Sequence, residues 1–166
     1  DKIKLPAVRK DDLKDLGQYA IDLTNLEHVS PTHEWVTRAG QWEHAVQSYL
    51  ASVTFADHCL GLVLDALEKS EYADNTVVAL FSDHGFHLGE KERWAKRSLW
   101  EDGTRVPIIL SAPDFKRNQT CDRPAELLDI FPTLLELAGL PADSTQQGQS
   151  LVCLLYTSPS PRDEQS

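Results

Sequence analysis

The chain has 166 residues, 41% of them hydrophobic and 25% charged, which is enough apolar material for one core. Its 16 basic and 26 acidic residues give a net charge of −10, and no stripe of Lys and Arg is present to neutralise phosphates, which argues against a nucleic-acid partner. No apolar run approaches the roughly 18 residues of a membrane span, and the missing signal peptide is uninformative in a chain read as truncated at its start.

Taken in order, residues 1–10 read as an extended arm broken at Leu5-Pro6. Asp11 and Asp12 are placed to cap a helix whose apolar positions Leu13, Leu16, Ala20 and Leu23 have helical spacing. Residues 24–40 are polar and irregular, with a break at Ser30-Pro31-Thr32; His28, His33 and Glu34 fall there, a poor metal template without a helix. From Gln41 to Lys69 a long helix is expected. Trp42, Val46, Tyr49, Val53, Ala56, Leu60, Val63 and Leu67 recur in steps of four and three and form one apolar stripe. Gly61 inside it suggests close packing, and Cys59 is expected to be buried.

Thr76 to Phe81 is apolar and rich in β-branched residues, and reads as a buried, central strand with a parallel neighbour. The long helix should cover one face of that sheet, an order typical of α/β units. The run stops at Ser82-Asp83-His84-Gly85, and the carboxyl ends of such strands are where open α/β sheets bind ligands. Asp83 offers a hard anionic oxygen, His84 an imidazole nitrogen or proton shuttle, and Gly85 a sharp turn. The bland alternative has Asp83 capping the next segment and His84 in solvent.

A loop follows to Gly103, studded with Trp94, Leu99 and Trp100 and carrying the cations Lys91, Arg93, Lys96 and Arg97, with Arg105 just beyond. Clustered beside the motif, those cations could offset the acidic surface around an anionic-substrate site; the bland reading is an ordinary solvated loop. Tryptophans, however, imply a loop folded back on the domain or on a ligand. Val106 to Leu110 reads as a second strand, with Pro107 at its start or edge. A helix after Pro124 carries Leu127, Leu128, Phe131, Leu134, Leu135 and Ala138, kinked or split by Pro132. Gly139 serves as its cap. Cys59, Cys121 and Cys153 lack close spacing, which disfavours zinc and redox pairs. Asn118-Gln119-Thr120 is a sequon of little weight.

The run Ser82-Asp-His-Gly-Phe-His-Leu-Gly-Glu90, followed by Trp94-Ala95-Lys96, Leu99-Trp100-Glu101 and Thr104-Arg105-Val106-Pro107, resembles the C-terminal signature of the type I sulfatases. The look is nearest to bacterial relatives of iduronate 2-sulfatase. Ser48 to Asp57 upstream, and Glu126 to Leu134 and Leu137 to Pro141 downstream, extend the resemblance over roughly residues 40–152. It implies an alkaline-phosphatase-like α/β fold, mostly parallel with flanking helices, present as a fragment whose C-terminal sulfatase-like portion spans 41–152. An irregular arm and short helix precede it over 1–40. Residues 153–166 have the composition of disorder and read as a disordered or artefactual tail.

The resemblance also implies hydrolysis of a sulfate ester, of a sulfated small molecule or glycan, by a formylglycine hydrate with one calcium ion. Asp83 and His84 match the later pair of calcium ligands in that family, although an imidazole departs from calcium's oxygen preference, so His84 is either a weak ligand or an acid or second-sphere group. Lys96 matches the lysine that contacts sulfate and nucleophile, a role suited to a point charge with rotatable donors. His87, beside Phe86, is a candidate for lining the substrate pocket, or else a surface histidine. The nucleophile is absent, because no Cys or Ser heads a Cys/Ser-x-Pro-x-Arg motif; Ser158-Pro159-Ser160-Pro161-Arg162 misses it by order. This chain alone is therefore expected to be inactive. Relatives are commonly periplasmic or secreted. The competing readings are a phosphate or phosphonate ester hydrolase with two transition metals, and a non-catalytic binding module.

Overall fold

The long helix forms where the apolar stripe places it. The computed structural model describes residues 3–24, 30–113, 115 and 118–156; His28 and the Ser158–Arg162 near-miss lie outside them. In it the chain divides into two units, Asp1–Ala66 with Ser82–Val106, and Leu67–Phe81 with Pro107–Ser166.

In the first unit, α1 (Gln18–Thr24) is shorter than the spacing from Leu13 suggests. The carboxylate of Asp12 is not free to cap it, being held by the amide and ammonium of Lys91. Helix α2 (His33–Arg38) occupies a stretch expected to be irregular. Thr32 caps it by accepting from the Trp35 amide at 3.2 Å, with Glu34 in its first turn and Arg38 in its last. Helix α3 (Trp42–Glu68) runs unbroken through Gly61. Its N-terminal part packs: Val46 is buried with Val36 and Trp94, and Ile3, Leu5, Trp42, Ala45 and Leu88 close around them. Further along, Val53 and Val63 are 48% and 66% exposed, Cys59 is exposed, and a Cβ on Gly61 would meet nothing within 4 Å. The expected burial of Cys59 and close packing at Gly61 are thus corrected.

By length and composition α3 could cross a membrane. Core helices of globular proteins pass the same test of length and composition, so it does not overturn the expectation of no membrane span.

Two short strands, β2 (His87–Leu88) and β3 (Trp94–Ala95), make an antiparallel hairpin, with His87 opposite Ala95 and Leu88 opposite Trp94. Trp94 folds back on the unit as a loop tryptophan should. Its Nε1 donates to His33 Nδ1 at 3.3 Å, and Trp42 Nε1 donates to the Leu88 carbonyl at 2.9 Å. Lys91 lies over the Trp100 ring at 4.9 Å. One helical turn, α4 (Glu101–Thr104), ends the unit's ordered elements.

In the second unit, β1 (Val78–Phe81) pairs with β4 (Ile108–Ser111), Val78 opposite Ser111 and Phe81 opposite Ile108. The pairing is antiparallel, so the expected parallel neighbour of this strand is corrected. An apolar run reports that both strand faces seek cover, which is usual in parallel sheets but does not require a parallel partner. Nor is β1 fully buried, since Phe81 is exposed. Among the described residues both sheets have two strands.

A 3-10 turn over Leu127–Asp129 leads into α5 (Ile130–Leu137). Pro132 does not kink α5, because it stands in the first turn, where its missing N–H would have no partner. The split falls before it. Thr133, fully buried, donates to the Asp129 carbonyl at 2.5 Å and accepts from the Leu151 amide at 2.8 Å. A last helix, α6 (Val152–Tyr156), forms at the start of the segment expected to be disordered.

Candidate active site

Three of the residues singled out in the sequence meet. The β2–β3 register explains why. Continued one step beyond His87 and Ala95, it sets Lys96 opposite Phe86, and so beside the turn that precedes β2. Lys96 Nζ lies 2.6 Å from His84 Nε2, and the same ring nitrogen lies 3.4 Å from Asp83 Oδ2. His84 Nδ1 is 2.8 Å from its neighbour's carbonyl, Gly85 O. A carbonyl only accepts, so the ring carries its proton on Nδ1, and Nε2 presents a lone pair that accepts from the Lys96 ammonium. The Asp83 side chain is 80% exposed. The turn itself is braced by Ser82 Oγ, which donates to the His84 carbonyl at 2.8 Å.

Gly85 is required here by close approach. A Cβ on it would stand 2.1 Å from the Asp102 carbonyl oxygen and 3.0 Å from that of Arg105. Its amide donates to the Gly103 carbonyl at 2.9 Å, tying the Asp83-His84 turn to the end of the loop that carries Lys96. The sequence marked Gly85 as a turn residue; nothing in it marked Asp102 or Gly103 as its partners.

The fit to a calcium ion is partial. Asp83 suits one position as an exposed, hard carboxylate. His84 Nε2 is engaged by Lys96, so in this arrangement the ring has no lone pair left for a cation. Among the described residues no three His, Cys, Asp or Glu side chains converge as a metal cluster.

His87 is placed otherwise than expected. It has no exposed surface, so it neither lines a substrate pocket nor sits at the surface. Its position opposite Ala95 turns the ring inward, where Nε2 and Ser98 Oγ share a hydrogen bond of 2.6 Å. Burial pushes the ring below the ordinary histidine range, as it does for His33. Arg93 is also buried, and Ser98 was not singled out at all. A lone Ser in a charged loop carries no spacing signal.

A family model described as Sulfatase matches residues 12–140, a span that includes all of α3. A sulfatase from Formosa agariphila is 42% identical over 155 residues, covering 93% of this chain and 30% of that protein. An N-acetylglucosamine-6-O-sulfatase from Bacteroides thetaiotaomicron is 36% identical over 112 residues, covering 67% of this chain and 20% of the other. Among solved structures, one in complex with its substrate D-glucosamine-2-N,6-O-disulfate is 35% identical, with a TM-score of 0.66 over 69% of this chain and 24% of its own. A phosphonate monoester hydrolase from Silicibacter pomeroyi is 25% identical, with a TM-score of 0.76 over 96% of this chain and 33% of its own. This chain thus spans about a third or less of each of these four proteins. The neighbours include further sulfatases of alkaline-phosphatase-like fold, so the α/β class expected from the sequence holds. By the extent of the family match and the identity over nearly its whole length, the chain belongs to the sulfatase family.

Proposed function

We propose that this chain is part of a calcium-assisted sulfatase acting on a sulfated sugar, and that Asp83, His84 and Lys96 are its share of the active site. The contact of Lys96 with His84 beside an exposed carboxylate carries the reading, in a chain of this family. Sulfate ester cleavage needs an attack on sulfur and loss of the alcohol oxygen while negative charge spreads over the sulfate oxygens. Positioned cations are what lowers that barrier. Lys96 supplies one, with rotatable N–H donors. His84 accepts one of those N–H groups at Nε2 and so holds the ammonium at the turn.

The chemistry of a bound calcium ion would be further positive charge for the sulfate oxygens. Asp83 would hold it as a hard carboxylate, with His84 a ligand only where its Nε2 is not taken by Lys96. The attacking group is taken to be a formylglycine hydrate outside these 166 residues, since no Cys/Ser-x-Pro-x-Arg stands within them. The sugar follows from relatives named for N-acetylglucosamine 6-O-sulfate and iduronate 2-sulfate, and from the disulfated glucosamine in a structural neighbour.

The likeness to a phosphonate monoester hydrolase favours a second reading, a hydrolase of phosphonate esters. The full-length protein, offered 6-O-sulfated glucosamine and a phosphonate monoester in parallel, is expected to release inorganic sulfate and to lose that activity on calcium chelation. Turnover of the phosphonate without sulfate release would overturn the first reading in favour of the second.

A further inference from the structure

Lys96 is flanked by backbone that residues with side chains seldom adopt. Ala95 at φ 62° and Arg97 at φ 64° bracket it in the left-handed region. Such a stretch persists only where its surroundings hold it. Two buried side chains do so. Arg93, 3% exposed, donates Nη2 to the Arg97 carbonyl at 2.7 Å, and Nη1 to the Leu23 and Thr24 carbonyls at 2.6 and 3.0 Å. Those two carbonyls end α1, where a cation is favoured. On the other side His87 grips Ser98. Gly103 makes the room, since a Cβ there would stand 2.4 Å from Ser98 Oγ and 3.0 Å from His87 Nε2. The carbonyl of Gly103 also receives the Gly85 amide, so the clamp reaches the turn bearing His84.

Among the described residues no carboxylate pairs with the Arg93 guanidinium; its partners are neutral carbonyls. Burying a charge in this way is a poor source of stability compared with an apolar side chain of the same volume. What Arg93 supplies is geometry, three carbonyls brought to one rigid fork.

We infer that Arg93 and His87 are positioning residues for Lys96, fixing the turn from Ala95 to Ser98 so that the ammonium meets the His84 side of the site. The inference rests on the reading of Lys96 as a sulfate-contacting residue. It differs from a merely structural role, because the effect of either residue on turnover must pass through Lys96.

The test uses the full-length protein with Arg93→Met and Ser98→Ala, each alone and combined with Lys96→Ala. Folding is checked by circular dichroism; Ser98→Ala, the milder change, serves if Arg93→Met does not fold. Each variant should lower kcat for sulfate release, by up to roughly the 10²-fold that a misplacement of about 1 Å costs. In the Lys96→Ala background each should add nothing, the non-additivity of groups acting as a unit. Independently of activity, acylation of Lys96 by an amine reagent, read by mass spectrometry against Lys10, should rise several-fold in both variants. Unchanged Lys96 labelling, or an equal loss of kcat with and without Lys96, would overturn the inference. If the protein releases no sulfate, the labelling alone decides, and failure of the functional reading is told apart from failure of this one.

Discussion

Replacing Gly85 by alanine puts the geometry of the turn to a quantitative test. The added Cβ would lie 2.1 Å from Asp102 O, 2.9 Å from Asp102 C and 3.0 Å from Arg105 O. All three are backbone atoms, so no flexible side chain can yield. Reaching an ordinary contact requires one segment to move by roughly 1 Å, and that motion breaks the 2.9 Å bond from the Gly85 amide to Gly103. Overpacking of this kind costs about 1–3 kcal/mol, and the lost hydrogen bond about another 1. A destabilisation of about 2–4 kcal/mol is therefore expected. The assay is urea denaturation followed by circular dichroism, with Gly61→Ala as the control. A Cβ at Gly61 meets nothing within 4 Å, and alanine in a helix interior is worth up to about 1 kcal/mol over glycine, so the control should be neutral or stabilised. Equal midpoints for the two variants would refute the packing derived for the Asp83-His84 turn.

Two further expectations concern the supports of each unit. The hydrogen bond and charge of Lys91 hold the Asp12 carboxyl below its ordinary value of 3.8, so the pair stabilises the fold above that pH and its contribution is lost as pH falls through the lowered value. Lys91→Met should lower stability at neutral pH and flatten this acid-side slope; an unchanged slope in acid denaturation would refute it. In the second unit, Thr133→Val keeps the shape but strands the Leu151 amide, at a cost of about 1–3 kcal/mol. A variant with the unfolding midpoint of the parent would show that the Thr133 bridge bears no weight.

What could be read from the sequence follows from how local each signal is. The stripe from Trp42 to Leu67 specified α3 to within a residue at each end, because helical periodicity accumulates over many turns. The meeting of Lys96 with Asp83 and His84 was legible through the family motif, whereas the β2–β3 hairpin that returns Lys96 to the turn was read only as a loop. Helix α2 was missed, since six residues give no period and the signal lay in a single Thr32 cap beside a proline. Strand direction was misread, because Val78 to Phe81 looks the same to a parallel or an antiparallel partner. His87, within the motif and beside Phe86, was read as either a pocket residue or a surface histidine. Its burial depends on Ser98 and Gly103, eleven and sixteen positions away, which no local pattern connects to it.

The claim that Lys96 completes this side of a sulfate-binding site is tested most directly by its removal. Sulfate release from a 6-O-sulfated glucosamine by the full-length protein should fall by about 10²–10³ in kcat on Lys96→Ala, the loss typical of one preorganised charge-stabilising donor. The unfolding midpoint should be nearly unchanged, since the Lys96 contact is exposed. A Lys96→Ala protein that releases sulfate at the parental rate would contradict the account.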